Sequence, residues 1–326
     1  MIEEILPNLY RMEIPLPRNP LRSLNSYLIK GKGRSLIIDT GMNRDECMQV
    51  MRSHLVKLEV DLNHTDFFIT HMHADHVGLV GNLVSKYSKI YLNSAEAPIF
   101  NWLYSDEHWE EIYRAFRSNN FPEEELKEAL RVHPGRKYRP KAGLVFSVLS
   151  EGESIEVGNY KFECIETPGH SPGHMCLYDA ENKVLISGDH LLFDITPIIT
   201  FSLKTENLLG KYLSSLKKIE MLDVSIVLPG HRSIGSNHHK RIRELEVHHQ
   251  KRLGEIIHAL EDGEKTAFET APYLSWHIDY SSWDQFPPSQ KYFAVAETVA
   301  HLQYLENTGT IFRKMVDSNI VFFIPK

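Results

Sequence analysis

The first forty residues alternate between apolar and polar side chains in the way that half-buried strands require. Residues 8–14 alternate one by one, and the Lys-Gly-Lys-Gly run at 30–33 is typical of a hairpin turn. Residues 35–38 form a short apolar run that predicts a buried strand, and residues 43–58 then place apolar side chains at helical spacing. Another short apolar run, at 67–69, predicts a further strand. This alternation of strands and helices predicts an α/β fold.

The middle of the chain departs from this alternation. Residues 95–133 carry apolar stripes at helical spacing, and Pro122 followed by three glutamates is typical of a helix start. We therefore predict a helical insertion at about 95–140, and a return to strands from residue 144. The insertion is expected either to form ordinary core or to cap a functional site and shape its pocket.

The last ninety residues predict a separate unit. Helical patterns occur at 238–262, 266–269 and 295–305, and two strand-like runs follow at 311–316 and 320–324. Helices followed by a two-stranded hairpin resemble a winged helix, so we predict two domains, 1–237 and 238–326. The second has ten lysines and arginines against twelve acidic residues, a net charge of −2. Nucleic-acid modules usually present a basic face, so we expect this unit to serve packing or homodimerisation.

Composition excludes several classes of protein. The chain has 326 residues, of which 42% are hydrophobic and 24% charged, values that are ordinary for a globular protein. No apolar run approaches the roughly 20 residues of a membrane span, and the acidic start Met-Ile-Glu-Glu does not resemble a secretory signal. Three cysteines without paired spacing favour a reducing compartment, so we expect a cytoplasmic protein. The net charge of −7 argues against a dominant role in nucleic-acid binding.

Four side chains that can bind metals fall within six residues, directly after the predicted strand at 67–69. They are His71, His73, Asp75 and His76. On an extended segment the first two project to the same side, and the last two would open the helix that follows. A surface loop that happens to be rich in histidine is the alternative.

Further residues of the same type occur at the ends of other predicted strands. His170 lies in a Gly/Pro-rich turn, Asp189 follows a buried run that ends in Gly188, and His231 follows Gly230 in the same manner. Asp39 ends the strand at 35–38, where it would either cap a helix or brace a metal ligand. Several strand ends that carry Asp or His together predict one site.

Seven candidate ligands are too many for one zinc ion, which takes about four including water. We assign His71, His73 and His170 to one ion, and Asp75, His76 and His231 to the other, with Asp189 bridging both. Histidine and aspartate suit zinc, with iron or manganese as alternatives. Two ions roughly 3.5–4 Å apart can share a hydroxide that attacks substrate. Asp75 and Asp189 are therefore also the predicted catalytic residues.

With these residues assembled, the chain resembles the hydrolases of the metallo-β-lactamase fold over about residues 8–235. The His-Met-His-Ala-Asp-His run at 71–76, His170, Asp189 and His231 follow the order and spacing of that family, and Asp39 matches its first motif. The resemblance implies a four-layer αβ/βα sandwich with metals at one edge. Members of the glyoxalase II and thioesterase type that carry a C-terminal winged helix are the most similar in organisation.

Departures from other members narrow the activity. Asp189 argues against β-lactam hydrolysis, because members with that activity lack the bridging aspartate. His73 argues against the flavo-di-iron members, which have glutamate there. The large nucleases insert a domain between the bridging aspartate and the last histidine, where this chain has only 42 residues. Leu191-Leu192-Phe193 follows Asp189 where lactonases place a tyrosine.

Three functions follow as hypotheses. The first is a dinuclear zinc hydrolase of an activated acyl bond, a thioester or related ester or lactone, acting on a small-molecule substrate. An aromatic pocket would bind the acyl group, lined by Trp102, Tyr104, Trp109, Tyr113 and Phe116. Basic residues would hold an anionic carrier, namely Arg136, Lys137, Arg139 and Lys141. The second is a single-strand endoribonuclease that uses the same metals, and the third is a metal-dependent scaffold without activity.

Overall fold

The computed structural model describes residues 1–276 and 280–325. Its larger sheet has seven strands whose spatial order equals their order in the sequence. Pairing is antiparallel from the first strand to the fourth and parallel from the fourth to the seventh. The strands are β1 (Ile2–Leu6), β2 (Leu9–Pro15), β3 (Ser23–Lys30), β4 (Ser35–Ile38), β5 (Thr65–Phe68), β6 (Ile90–Asn93) and β7 (Ser147–Leu149).

The smaller sheet has five strands. The first four to occur in the chain pair antiparallel, and the last lies parallel to its neighbour. Its strands, in chain order, are β8 (Ser154–Val157), β9 (Tyr160–Glu166), β10 (Met175–Asp179), β11 (Val184–Gly188) and β12 (Ile226–Pro229).

Helices surround the two sheets and form the C-terminal part. Ser105 caps one helix by accepting the His108 N–H, and Asp106 and Glu107 follow in its first turn. The helices are α1 (Asp45–Lys57), α2 (Ala74–Val77), α3 (Val80–Leu83), α4 (Phe100–Leu103), α5 (Asp106–Ser118), α6 (Glu123–Val132), α7 (Pro134–Lys137), α8 (Leu208–Glu220), α9 (His238–Glu261), α10 (Ala267–Thr270) and α11 (Pro288–Asn307). Short 3₁₀ turns lie at Leu62–His64, Ala97–Ile99, Ala271–Tyr273 and Trp283–Gln285.

The predicted αβ/βα sandwich is confirmed. One apolar cluster lies between the facing sheets, with Phe68 from the larger sheet and Phe162 from the smaller one. A second cluster joins the outer face of the larger sheet to α1, and a third joins the outer face of the smaller sheet to α8. The central strands of each sheet are therefore buried on both faces, which explains why they have continuous apolar runs.

The C-terminal part ends in the predicted hairpin, β13 (Phe312–Val316) paired antiparallel with β14 (Asn319–Phe323). Its helices do not have a core of their own, because α9 and α11 share the third apolar cluster with α8 and with the insertion helices α5 and α6. The order of helices and hairpin matches the prediction, whereas the winged-helix assignment and the boundary at 237/238 stay predictions.

The prediction of a strand from residue 144 was wrong by three residues, since β7 begins at Ser147. Val145 is 83% exposed, so the apolar run at 144–146 does not lie in a buried ladder. In the ranges 1–276 and 280–325, no helix is both long and apolar enough to span a membrane.

Candidate metal centre

The run from His71 to His76 lies where β5 ends and α2 begins, as the sequence predicts, with His71 and His73 before the helix and Asp75 and His76 in its first turn. His73 is the last residue before α2 and has an extended backbone, with φ −70° and ψ 147°. This places His73 Nδ1 2.9 Å from His71 Nε2. The two imidazoles therefore face one point.

His170 completes a group of three histidines. Its Nε2 lies 3.0 Å from His73 Nδ1, and the ligand nitrogens of His71, His73 and His170 all lie within 4.8 Å of one another. Burial lowers the pKa of His73 to about 3, and burial also lowers the pKa values of the other two. All three are neutral near pH 7, which is the form that binds a metal.

A second group consists of Asp75, His76 and His231. The Asp75 Oδ2 atom lies 3.4 Å from His231 Nε2 and 4.0 Å from His76 Nε2. Burial opposes the charged form of His231, yet the negative charges of Asp189 and Asp75 outweigh it and raise its pKa to about 10. This group therefore attracts cations.

The Asp189 carboxylate lies between the two groups. Its Oδ2 is 3.6 Å from His170 Nε2 and 3.4 Å from His231 Nε2, and its Oδ1 is 3.5 Å from His76 Nε2. Gly230 allows this approach, because a Cβ at that position would lie 2.5 Å from Asp189 Oδ1. The Asp189 carboxylate is therefore within reach of both groups of ligands and could be shared between two ions.

The buried polar atoms of the centre fit two divalent cations. Within the described ranges, His76 Nε2, His231 Nε2 and Asp189 Oδ1 are buried without a hydrogen-bond partner, a state that is costly unless an ion or water satisfies it. All seven predicted ligands surround this point, so the structure brings together each residue that the sequence singles out.

Hydrogen bonds on the far side of each imidazole fix its orientation. His170 Nδ1 donates to the Ile198 carbonyl at 2.8 Å, and His231 Nδ1 donates to the Ser23 carbonyl at 2.7 Å. With the proton held on Nδ1, the His170 Nε2 atom carries the lone pair that a metal requires, and His231 Nε2 gains that lone pair when a metal displaces its proton.

Asp39 braces His76, as one of its two predicted roles requires. Its Oδ2 accepts from His76 Nδ1 at 2.7 Å, while its Oδ1 accepts from the Thr70 N–H at 2.9 Å. It does not cap α1, whose N-cap is Arg44. Asp39 adopts a left-handed backbone, with φ 57°, a conformation that aspartate tolerates better than most residues.

Comparison with known proteins decides the family. The model described as "Metallo-beta-lactamase superfamily" matches residues 20–231, more than half of the chain. The chain belongs to the metallo-beta-lactamase superfamily. It is a metal-dependent hydrolase of that superfamily.

Relatives of this superfamily member span most of its length. The crystal structure of a metallo-beta-lactamase family protein from Thermus thermophilus is 29% identical, with a TM-score of 0.83 over 99% of this chain and 100% of that one. A probable metallo-hydrolase, YqjP, from Bacillus subtilis (strain 168) is 24% identical over 309 residues, 91% of this chain and 92% of that protein.

Two further relatives match over shorter stretches. An atrochrysone carboxyl ACP thioesterase from Emericella nidulans is 23% identical over 278 residues, covering 85% of this chain and 73% of that enzyme. A protein from Aquifex aeolicus is 30% identical over 162 residues, which is 49% of this chain and 61% of that relative.

Sequence reasoning missed Glu96 and His174 near the centre of this metallo-beta-lactamase superfamily member, and it assigned Tyr104 to an aromatic pocket without its hydrogen bond beside the ligands. Glu96 accepts the Met72 N–H at 2.7 Å, and Tyr104 donates to the Met72 carbonyl at 2.5 Å. His174 Nε2 accepts the Asp189 N–H at 3.1 Å. Glu96 and Tyr104 lie away from the strand ends that carry the sequence signal. His174 shares the turn of His170, and that position was the available signal.

Proposed function

We propose that this metallo-beta-lactamase superfamily hydrolase cleaves activated acyl bonds, with thioesters as the preferred class and two zinc ions as the cofactor. The position of Asp189, within 3.6 Å of ligand atoms from both groups of residues, carries the proposal. Members that hydrolyse β-lactams lack this bridging aspartate, so the site favours a different acyl substrate.

Two groups of residues would hold the ions. His71, His73 and His170 would hold one, and Asp75, His76 and His231 the other, with Asp189 shared. Divalent cations bound here supply Lewis acidity and make a coordinated water reactive near neutral pH.

The chemistry of the leaving group favours a thioester. Amide hydrolysis requires a proton for the departing nitrogen, so a general acid must stand beside the ligands. A thiol has a pKa of about 8.5 and departs as thiolate without that help. The phenol of Tyr104 lies near the predicted ligands, but its O–H donates to the Met72 carbonyl, and burial raises its pKa well above the ordinary value. The Tyr104 hydroxyl is therefore committed to a backbone carbonyl and is not positioned to protonate a leaving group.

The names of relatives support the same class. The relative from Emericella nidulans is an acyl-carrier-protein thioesterase by name, and it matches 85% of this chain. At 23% identity it does not define the acyl group. The proposal is accordingly limited to the bond that is cleaved.

The predicted aromatic pocket needs revision. Trp109 and Phe116 are 7% and 1% exposed and lie in the apolar cluster beneath the insertion. Phe116 stacks on Tyr292 of α11 at 4.3 Å between ring centroids. Trp102 and Tyr104 are partly buried and stay candidates for contact with an acyl chain. Lys204 lies over the Trp102 ring at 4.4 Å, which adds a cation beside it.

A substrate panel tests the proposal. Purified protein loaded with zinc is assayed against acyl thioesters of increasing chain length, lactones, a β-lactam and single-stranded RNA. We expect the highest kcat/KM for a thioester, and loss of that turnover in Asp189→Ala. Cleavage of RNA alone would instead support the endoribonuclease, and turnover that persists in Asp189→Ala would contradict the role of this carboxylate.

A further inference from the structure

The candidate metal centre is assembled from two sheets. His71 and His73 follow β5 of the larger sheet, whereas His170 lies in the turn between β9 and β10 of the smaller sheet. A hydrogen bond from the Met175 N–H to the Thr70 carbonyl, 2.9 Å long, joins the sheets beside this point. If His71, His73 and His170 bind one ion, the turn that follows β5 and the turn between β9 and β10 must also be held at a suitable distance from each other.

Glu96 contacts both turns at once. One carboxylate oxygen, Oε2, accepts the Met72 N–H at 2.7 Å. The other, Oε1, accepts the Gly173 N–H at 3.0 Å and the Ser171 hydroxyl. The side chain is fully buried, so these contacts with the protein replace solvent around the carboxylate.

The attachment points lie next to the ligands. Met72 stands between His71 and His73, and Ser171 follows His170 directly. Gly173 packs so closely that an added Cβ would lie 2.8 Å from the Glu96 Cγ. Since one oxygen serves each turn, the width of a single carboxylate helps to set the distance between the turns.

We propose that Glu96 is a positioning residue that holds His170 at metal-binding distance from His71 and His73. The inference rests on the metal centre of the proposed function, but not on the identity of the substrate. The acceptor atoms matter as well as the shape, because three N–H or O–H donors converge on the two carboxylate oxygens. Glutamine has the same shape, but its amide N–H₂ would face at least one N–H or O–H donor.

The test compares Glu96→Gln with Glu297→Gln. Glu297 is a buried glutamate of the C-terminal helices that pairs with Arg252, away from the seven ligands. Zinc affinity is measured by competition with a chromophoric chelator, zinc content by elemental analysis, and Tm with and without zinc. Because partners of metal ligands typically account for 10–100-fold in affinity, we expect Glu96→Gln to bind at least one zinc about 10–100-fold more weakly. Glu297→Gln should stay within a factor of about three of the wild type, even where its Tm falls.

Equal zinc affinity in wild type and Glu96→Gln, with a lowered Tm, would overturn the proposal and leave Glu96 as a structural core residue. Ser171→Ala covers the case in which Glu96→Gln fails to fold, since it removes one donor and keeps the carboxylate. We expect its zinc affinity to fall threefold or more, and an unchanged affinity would likewise overturn the proposal. These measurements use no substrate, so failure of the thioesterase assay leaves them interpretable.

Discussion

Among the residues that the structure describes, two buried clusters combine histidines with carboxylates, and only the C-terminal one also contains an arginine. In the C-terminal cluster, formed by His249, Arg252, Glu297 and His301, the Arg252 guanidinium lies 2.5 Å from the Glu297 carboxylate. His301 Nδ1 donates to the Glu297 carbonyl, so its Nε2 accepts from His249 Nδ1 at 3.0 Å. The guanidinium offsets the charge of the Glu297 carboxylate, and the two imidazoles are joined by a hydrogen bond.

The metal centre differs in its charge balance. Four carboxylates lie buried there, those of Asp39, Asp75, Glu96 and Asp189. Among the residues that the structure describes, their ion pairs involve histidines, and none involves a lysine or an arginine. Divalent cations bound there would offset this negative charge.

Proximity of ligand atoms does not separate the clusters, because nitrogen and oxygen atoms of His248, His249 and Glu297 also lie within 4.8 Å of one another. The presence of Arg252 does separate them. A buried carboxylate that already has a guanidinium partner does not require a metal, whereas the ion pairs of Asp75 and Asp189 are with histidines, which release their protons when a metal binds. The clusters therefore differ in which groups balance the charge of their buried carboxylates.

Metal removal should produce the largest effect. Dialysis against a chelator is expected to abolish hydrolysis entirely, because the chemistry of the site depends on the bound ions. Titration of zinc into the stripped protein should restore activity at two equivalents per chain. Binding of a third tight equivalent in the C-terminal cluster would contradict the prediction that Arg252 makes a metal unnecessary there. Metal content by elemental analysis, measured alongside activity, checks both statements.

Removal of Arg252 should affect stability rather than metal content. Arg252→Met leaves Glu297 buried without its cation, which is expected to lower the free energy of unfolding by about 3–5 kcal/mol. The double variant Arg252→Met/Glu297→Met should recover most of this loss. Urea unfolding of the zinc-loaded proteins gives both values, and zinc content should stay at two in each. A loss below about 1 kcal/mol, within the range of exposed pairs, would contradict the importance of this ion pair.

The ligands of the metal centre were predictable because each one follows a recognisable strand or turn. A short apolar run precedes His71, and Gly188 and Gly230 precede Asp189 and His231. Strand ends converge when two sheets pack face to face, so local patterns gave a three-dimensional site. Glu96 had no such signal, because its role depends on two turns that are 24 and 77 residues away.

Parts of the fold escaped prediction for a related reason. Strand β10 is buried at all five positions, so it has no alternation, and no prediction was made for it or for helix α8. The C-terminal helices are periodic and were predicted, but their packing partner was not. They share a core with the layer outside the smaller sheet, and helical spacing does not reveal which surface a helix covers.

Asp39→Asn tests whether the negative charge beside His76 Nδ1 increases the affinity of the centre for zinc. Asparagine keeps the size of the side chain and tolerates the left-handed backbone at this position, yet it removes the negative charge that faces His76 Nδ1. Zinc affinity is expected to fall about 10–100-fold, as measured by chelator competition. Asp179→Asn is the matched control, since Asp179 is a buried carboxylate that accepts backbone N–H groups on β9 and in the turn after β10. Equal losses in both variants would show a general effect of buried charge rather than a specific one.

The smallest expected effect is the release of protons when zinc binds, which should differ between the two groups of ligands. In the metal-free protein the pKa of His231 is raised to about 10 and that of His76 is also raised, in both cases because nearby carboxylates outweigh burial. The stability that His231 gains from its proton is fully present below its ordinary pKa of about 6.5 and is lost as the pH rises through about 10. Metal must displace these protons, whereas His71, His73 and His170 have lowered pKa values and carry none to displace near pH 7.

We therefore expect zinc binding at pH 7 to displace about two protons per chain from side chains, both from the group formed by Asp75, His76 and His231, in addition to the proton released by a zinc-bound water. For each proton displaced, zinc affinity at that position should rise by roughly tenfold per pH unit. Calorimetric titrations in two buffers with different ionisation enthalpies give the number of protons, and Glu297→Gln serves as the unaffected control. Release that is zero, or equal for the two ions, would contradict the electrostatic difference between the two groups of ligands, because only the carboxylates beside His76 and His231 hold protons on their partners.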